Sequence, residues 1–362
     1  MQRFRARQLG ITIGDLPTGP RNTLTDVDGV RVGHTTLIDG DGPLVPGRGP
    51  VRTGVTVILP HPGNVYRSKV RAAVHTINGY GKACGFEQVR ELGVIESPIA
   101  LTGTLNVPRV ADALIDYALT QNPDIGITTS SVNVVVGETS DAYLNDLQGR
   151  HVQKTHVFSA ISAASADVVD GAVGAGTGTT CFGWKGGIGT ASRVLPIELG
   201  GFTLGALVQS NFGRAPDLII DGVPVGRLMT PDGYAASIER GSIMIVLATN
   251  APLSSRQLDR VAKRSGAALG RVGSHYGHGS GDFVIAFSTV NQVAHEAASM
   301  TITQTVVANE AVVIEGLFRA AVESVEEAIV NSLCMAQTVI GRDGHVRYAL
   351  PIAELLAEFG GD

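Results

Sequence analysis

Glu239-Arg240-Gly241-Ser242-Ile243-Met244-Ile245-Val246-Leu247-Ala248-Thr249 is the stretch on which the fold turns. A Gly-Ser step opens onto an apolar, β-branched run, the pattern of a strand buried on both faces. Ser242 is expected at the first position of that strand, at a sheet edge, with a flexible glycine behind it and a fixed scaffold ahead. Gly241 has no side chain to obstruct approach, and its dihedral freedom lets the peptide after it adopt a strained form. A serine so placed is a candidate nucleophile toward its own preceding carbonyl. Cleavage there would leave Ser242 as a new N-terminus carrying both a hydroxyl and an α-amine. An α-amine titrates near 7.7–8.0, roughly where a general base is useful, and hydroxyl plus N-terminal amine is an established activation scheme. The same dipeptide recurs at Gly273-Ser274 and Gly279-Ser280, where a plain turn is an equally good reading, so the local pattern needs support from elsewhere.

Composition narrows the function classes. The chain has 362 residues, 44% hydrophobic and 17% charged, enough for a large core and too apolar for disorder. No linker, charge block or repeat marks a boundary, so a single large domain over residues 1–362 is expected. A net charge of -5 and 5% aromatics give neither a basic footprint nor stacking platforms for nucleic acid. Cys84, Cys181 and Cys334 lack metal-ligand spacing and read as reduced, mostly buried thiols. No apolar run reaches the length of a membrane span, and the basic start has no apolar segment after it, so a cytoplasmic protein is expected.

Periodicity supplies the elements. Residues 10–35 read as short strands around an Asp28-Gly29 turn, and residues 55–60 and 132–138 as strands. Residues 202–211 form a strand ending at the Asn211 amide. Helical spacing is found over 68–84, 107–120 and 255–264, and a strand over 282–289. A long helix carries Ile314, Leu317, Ala321, Val325, Ala328 and Leu333 on one side and Arg319, Glu323, Glu326 and Glu327 on the other, the latter read as its polar face. Strands and helices mix without regular alternation, the mark of a layered α+β protein.

Two motifs fail on spacing. Gly174, Gly176 and Gly178 do not fit the dinucleotide fingerprint, and Lys185 is not followed by Ser or Thr as a phosphate loop requires. The Gly171–Gly187 segment is read instead as a wall where backbones approach closely. His275 and His278 in a Gly-rich loop are weak as metal ligands; no metal and no organic cofactor is expected.

The support comes from separated segments taken together: Ser242 and its flanks, Asn211-Phe212-Gly213, Gly279-Ser280-Gly281-Asp282, Val136-Gly137-Glu138-Thr139, and Thr25 to Thr35. In this order they resemble the L-aminopeptidase/D-esterase and β-aminopeptidase family (DmpA type), relatives of ornithine acetyltransferase. The resemblance runs from the N-terminal strands to the final helix. It implies an α/β/β/α sandwich of the N-terminal-nucleophile hydrolase kind and autocleavage between Gly241 and Ser242 into associated polypeptides 1–241 and 242–362. It further implies Ser242 as nucleophile, Ser280 as a second serine bridging to the Ser242 amine or hydroxyl, and Asp282, where some members have Glu, as the orienting carboxylate. Asn211 is implied as oxyanion donor and Glu138 as the holder of the substrate ammonium, with Tyr143 lining the same pocket. Substrates would be short peptides, amides or esters with small N-terminal residues of L-α, β or D type, and the assembly a homotetramer. Acyl transfer and a catalytically silent binding protein stand as alternatives. The relatives that transfer acyl groups use an N-terminal threonine where this chain has serine, and an intact Ser242, Ser280, Asp282, Asn211 set argues against silence.

Overall fold

The computed structural model describes residues 2–235 and 238–359. Two sheets stack face to face. The first runs β1 (Arg31–Asp39), β2 (Val51–Leu59), β5 (Ile99–Gly103), β6 (Val135–Thr139), antiparallel except for the β5–β6 pair. The second runs β4 (Val94–Ile95), β3 (Ser68–Gly79), β12 (Gly279–Ala294), β11 (Arg240–Thr249), β10 (Thr203–Asn211), β9 (Ile188–Val194), with β11 and β12 parallel and the other pairs antiparallel. Two small hairpins stand apart, β7 (Thr180–Cys181) with β8 (Trp184–Lys185) and β13 (Val339–Ile340) with β14 (Val346–Arg347).

Three apolar layers fix the stacking. Ile58, Ile99, Leu101 and Val135 of the first sheet meet Val70, Leu207, Met244, Val246 and Ile285 of the second. The outer face of the first sheet is covered by α2 (Val107–Gln121) and α3 (Lys154–Ser162) through Val57, Val110, Leu114 and Val157. The outer face of the second is covered by α5 (Ser255–Ala262), α6 (Ser265–Arg271) and α7 (Glu310–Met335) through Val208, Ile243, Leu258, Leu269, Leu317 and Ile329. The order is helix, sheet, sheet, helix: the α/β/β/α sandwich expected, formed because both sheets are apolar on both faces. The smaller helices α1 (Phe86–Leu92), α4 (Val225–Leu228) and α8 (Ile352–Phe359) pack at the periphery.

Three expectations are corrected. Residues 68–79 are the strand β3, not a helix. Val70, Ala72 and Val74 enter the layer between the sheets while Ala73 and Ile77 meet the helical layer; burial on both faces erases the alternation that marks a strand, and the Val70, Ala73, Ile77 spacing imitates a helix. Ser242 is the third residue of its strand, and β11 lies inside the sheet between β12 and β10 rather than at an edge. Residues 10–30 hold a 3-10 turn at Leu24–Asp26 in place of a strand, although the Asp28-Gly29 turn before β1 forms as read, with Gly29 at φ 85°.

Candidate active site

The pairing of β11 with its two neighbours assembles the site. Antiparallel β10 sets Asn211 directly opposite Ser242, so their side chains share a face within about 4.5–5.5 Å at Cβ. Parallel β12 sets Ser280 beside Gly241, Gly281 beside Ser242 and Asp282 beside Ile243. Alternation then separates the groups by face. Ile243 and Val284 pack into the helical layer, and Met244 and Phe283 between the sheets. The Ser242 hydroxyl therefore points to the inter-sheet side with Asn211, while Ser280 and Asp282 lie on the helical side. Between the two lies the Gly241–Ser242 peptide. A bulge in the β12–β3 ladder falls at Asp282/Phe283, a common device for re-aiming a side chain beside a site.

Contacts are consistent with this split. The Ser242 Oγ accepts the Gly281 N–H at 3.3 Å. On the other side the Ser280 hydroxyl donates to Asp282 Oδ1 at 2.6 Å, and Asp282 Oδ2, buried, meets no hydrogen-bond partner among the described residues. Burial, opposed by the Ser280 hydrogen bond and the Ile243 backbone N–H and reinforced by the charge of Glu239, raises the Asp282 carboxyl from 3.8 to about 7. An orphan oxygen on a buried carboxylate is costly unless a cation or donor arrives. Gly241 sits at φ 138°, and a Cβ there would stand 2.0 Å from the Asn211 carbonyl oxygen. Only glycine fits.

The Asn211 amide is held by a group the sequence did not reveal. Its Oδ1 accepts the Thr180 N–H at 2.9 Å, which leaves Nδ2 as the free donor on the Ser242 face. The Thr180 turn is in turn fastened by Lys185, wholly buried, whose Nζ donates to the carbonyls of Gly176 (2.8 Å), Thr179 (2.9 Å) and Gly186 (2.6 Å). Burial pulls this lysine down from 10.5 to about 7. The segment is the close-packed glycine wall expected, since a Cβ on Gly187 would lie 2.1 Å from the Gly171 carbonyl.

Glu138, at the end of β6, is 4% exposed. Its Oε1 accepts the Lys82 N–H at 3.0 Å and has the Lys82 ammonium at 3.8 Å, and burial raises its carboxyl. Lys82 is a second residue that sequence reasoning missed, for no local signal links positions 56 residues apart. A Cβ built on Gly81 would stand 3.1 Å from Glu138 Oε1 and 3.6 Å from the Gly281 Cα, and one on Gly281 3.2 Å from Ser242 Oγ. Two glycines thus join the carboxylate to the serine. Tyr143 lines a cavity of about 710 Å³ with Thr180, Asn211, Gly213, Tyr234 and Arg347. Ser242 and Glu138 are buried and do not form its walls; Asn211 is the residue common to the serine's face and the cavity. His275, weighed as a metal ligand, instead meets buried Glu239 at 3.0 Å.

A strand-borne serine with an amide opposite and a hydroxyl–carboxyl pair on the next strand, inside an α/β/β/α sandwich, defines a hydrolase of the N-terminal-nucleophile fold. The model of peptidase family S58 matches residues 22–347, and the chain belongs to that family. The β-peptidyl aminopeptidase BapA of Sphingosinicella microcystinivorans is 40% identical over 370 residues, covering 98% of this chain and 91% of that protein. Among solved structures, the PH0078 protein of Pyrococcus horikoshii OT3 superposes with a TM-score of 0.94 at 52% identity over 98% of each chain. The L-aminopeptidase D-Ala-esterase/amidase of Ochrobactrum anthropi, described as a prototype for the serine aminopeptidases and a variant of the Ntn hydrolase fold, superposes at 0.90 with 37% identity over 98% of each. The chain is a serine aminopeptidase of this fold.

Proposed function

We propose that the chain processes itself between Gly241 and Ser242 and then removes small N-terminal residues, of L-α, β or D type, from short peptides, amides or esters. In processing, the Ser242 Oγ attacks the Gly241 carbonyl carbon, the acyl group passes from nitrogen to oxygen, and water cleaves the ester, leaving a Gly241 carboxylate and a free Ser242 amine. In catalysis that amine takes the hydroxyl proton as Oγ adds to the substrate carbonyl and returns it to the leaving amine or alcohol; water then cleaves the Ser242 acyl ester, releasing the acid and restoring the hydroxyl. Asn211 Nδ2 and the Gly281 N–H are the donors available to the developing oxyanion; one such donor contributes about 10²–10³ in rate. Glu138 receives the substrate ammonium, displacing Lys82, and Tyr143 lines the pocket. The S58 relatives, named as β-peptidyl aminopeptidase and L-aminopeptidase D-Ala-esterase/amidase, support the substrate range.

The observation that carries the reading is the orphaned Asp282 Oδ2 beside a peptide whose cleavage creates an ammonium. It supports a role for Ser280 and Asp282 at the amine of Ser242 rather than at its hydroxyl, which lies on the other face. The assembly is proposed to be a homotetramer of processed pairs, in the cytoplasm. Intact mass under denaturing conditions tests the core of the proposal. Two polypeptides divided at Gly241–Ser242 are expected, with Ser242→Ala giving one species of 37.6 kDa. A wild-type chain that stays whole yet hydrolyses aminoacyl amides would remove the N-terminal amine from the mechanism.

A further inference from the structure

The cavity beside Asn211 holds a cation that nothing above uses. Arg347, in β14, is half-buried on its wall. Every contact of its guanidinium is neutral: Nε donates to Thr180 Oγ1 at 3.1 Å, Nη1 reaches its neighbour's Val346 carbonyl at 3.3 Å, and the group lies 3.4 Å from the centre of the Tyr143 ring. Among the described residues Arg347 forms no ion pair, and its one further partner is the Tyr143 side chain. Arg342, on the same wall, is by contrast neutralised by Asp343 at 2.8 Å. Burial lowers the pKa of Arg347, a sign of lost hydration, yet an arginine keeps its charge. A partly desolvated guanidinium on a cavity whose described lining has no carboxylate, Asp232 lining only the adjoining cavity, is an incomplete pair.

Its place relative to the reacting centre is set by two hydrogen bonds. Asn211 Oδ1 is bound to Thr180 N, and Thr180 Oγ1 to Arg347 Nε. The oxyanion donor and the guanidinium are thus mounted on one residue, Thr180. An extended peptide advances about 3.3–3.6 Å per residue, so an anion reaching Arg347 from a carbonyl at Asn211 lies one or two residues beyond the scissile bond. Glu138 stands near Ser242 through Gly81 and Gly281 and is not part of the wall that carries Arg347. A carboxylate near the serine and a guanidinium on the cavity wall are the two kinds of charge that the ends of a zwitterionic peptide require.

We infer that Arg347 determines specificity by receiving the C-terminal carboxylate of a di- or tripeptide, so that the site favours short peptides with free termini over their C-terminal amides. The inference rests on the aminopeptidase reading of the cavity. Tyr143 has a defined part in it: its ring, stacked on His345 at 4.4 Å, has the guanidinium 3.4 Å from its centre and holds it at the cavity wall.

The test compares one small dipeptide as free acid and as C-terminal amide. The wild-type kcat/KM is expected to favour the acid by about 10–100-fold, the scale of one charge-assisted hydrogen-bonded pair. Arg347→Met should bring that ratio to within about threefold of one, through KM, and Arg347→Lys should recover part of it, as a merely structural brace would not. A preference that survives Arg347→Met, or equal losses on both substrates, overturns the inference. If wild-type protein turns over neither substrate, the aminopeptidase reading fails separately. Calorimetric binding of the same acid and amide then decides the role of Arg347, equal affinities refuting it and a preference for the acid that Arg347→Met abolishes supporting it.

Discussion

Asp282 carries two unusual features in one residue, an unpartnered buried oxygen and a carboxyl pushed up to about 7. Both go with its burial beside Glu239, with no cation meeting the carboxyl among the described residues. The unfolded carboxyl titrates near 3.8, so between about pH 4 and 7 the folded chain holds a proton that the unfolded chain has released. The stability this group contributes is present below pH 4 and is lost as pH rises through 7. In the unprocessed Ser242→Ala protein, urea denaturation at pH 4.5 and 7.5 should therefore show a decline that Asp282→Asn flattens. The difference is expected to reach a few kcal/mol, since each tenfold change in proton affinity is worth about 1.4 kcal/mol. Parallel curves for the two proteins would mean that Asp282 already has a cationic partner.

At the scale of elements, α7 departs most from its sequence pattern. Its acidic side is not a solvated face: Glu323 and Glu327 lie buried against Arg193 at 3.0 and 2.7 Å, Arg7 joins Glu327 at 3.0 Å, and Glu326 pairs with Arg271. Arg193 comes from β9 and is completely buried, so α7 is ionically fastened to the sheet as well as packed on it. Glu323 also accepts the backbone N–H groups of Asp15 and Leu16, which draws the N-terminal segment over the helix. Removing one member strands a charge. Glu327→Leu is expected to cost about 3–5 kcal/mol in chemical denaturation, whereas Arg319→Leu, at the exposed rim, should cost less than about 1 kcal/mol. Equal and small effects would show that Arg193 finds sufficient compensation elsewhere. The charges of α7 were legible in sequence and their destination was not, because Arg193 lies 130 or more residues from the carboxylates it meets.

For the whole molecule, strand order has a consequence for processing. The segment after Ser242 supplies β11 and β12, and these lie in the interior of the six-stranded sheet between β3 and β10 of the segment before it. Cutting the chain at Gly241 breaks one covalent bond but no layer. The two polypeptides should stay together under native conditions, co-eluting in size exclusion and separating only in denaturant. Separation in native buffer would contradict the interleaved sheet. The same interleaving explains why a buried strand end can hold a nucleophile: its neighbours, not its own termini, keep it in register.

The amino-acid order was enough to place the strand from Gly241 to Thr249, helices that the fold extends over Val107–Gln121 and Glu310–Met335, and the four-layer class. These are encoded in local apolar runs and in several motifs that recur together. Which face each group occupies was left to the three-dimensional structure. Strand alternation and register send the Ser242 hydroxyl toward Asn211, and Ser280 with Asp282 to the far side of the same peptide. Only the folded chain revealed Lys82 at Glu138, Lys185 beneath the Thr180 turn, and Arg347 above it. The physical reason is range. Periodicity reports only what one element buries, while a lone lysine or arginine acquires meaning from partners that the fold brings from distant parts of the chain.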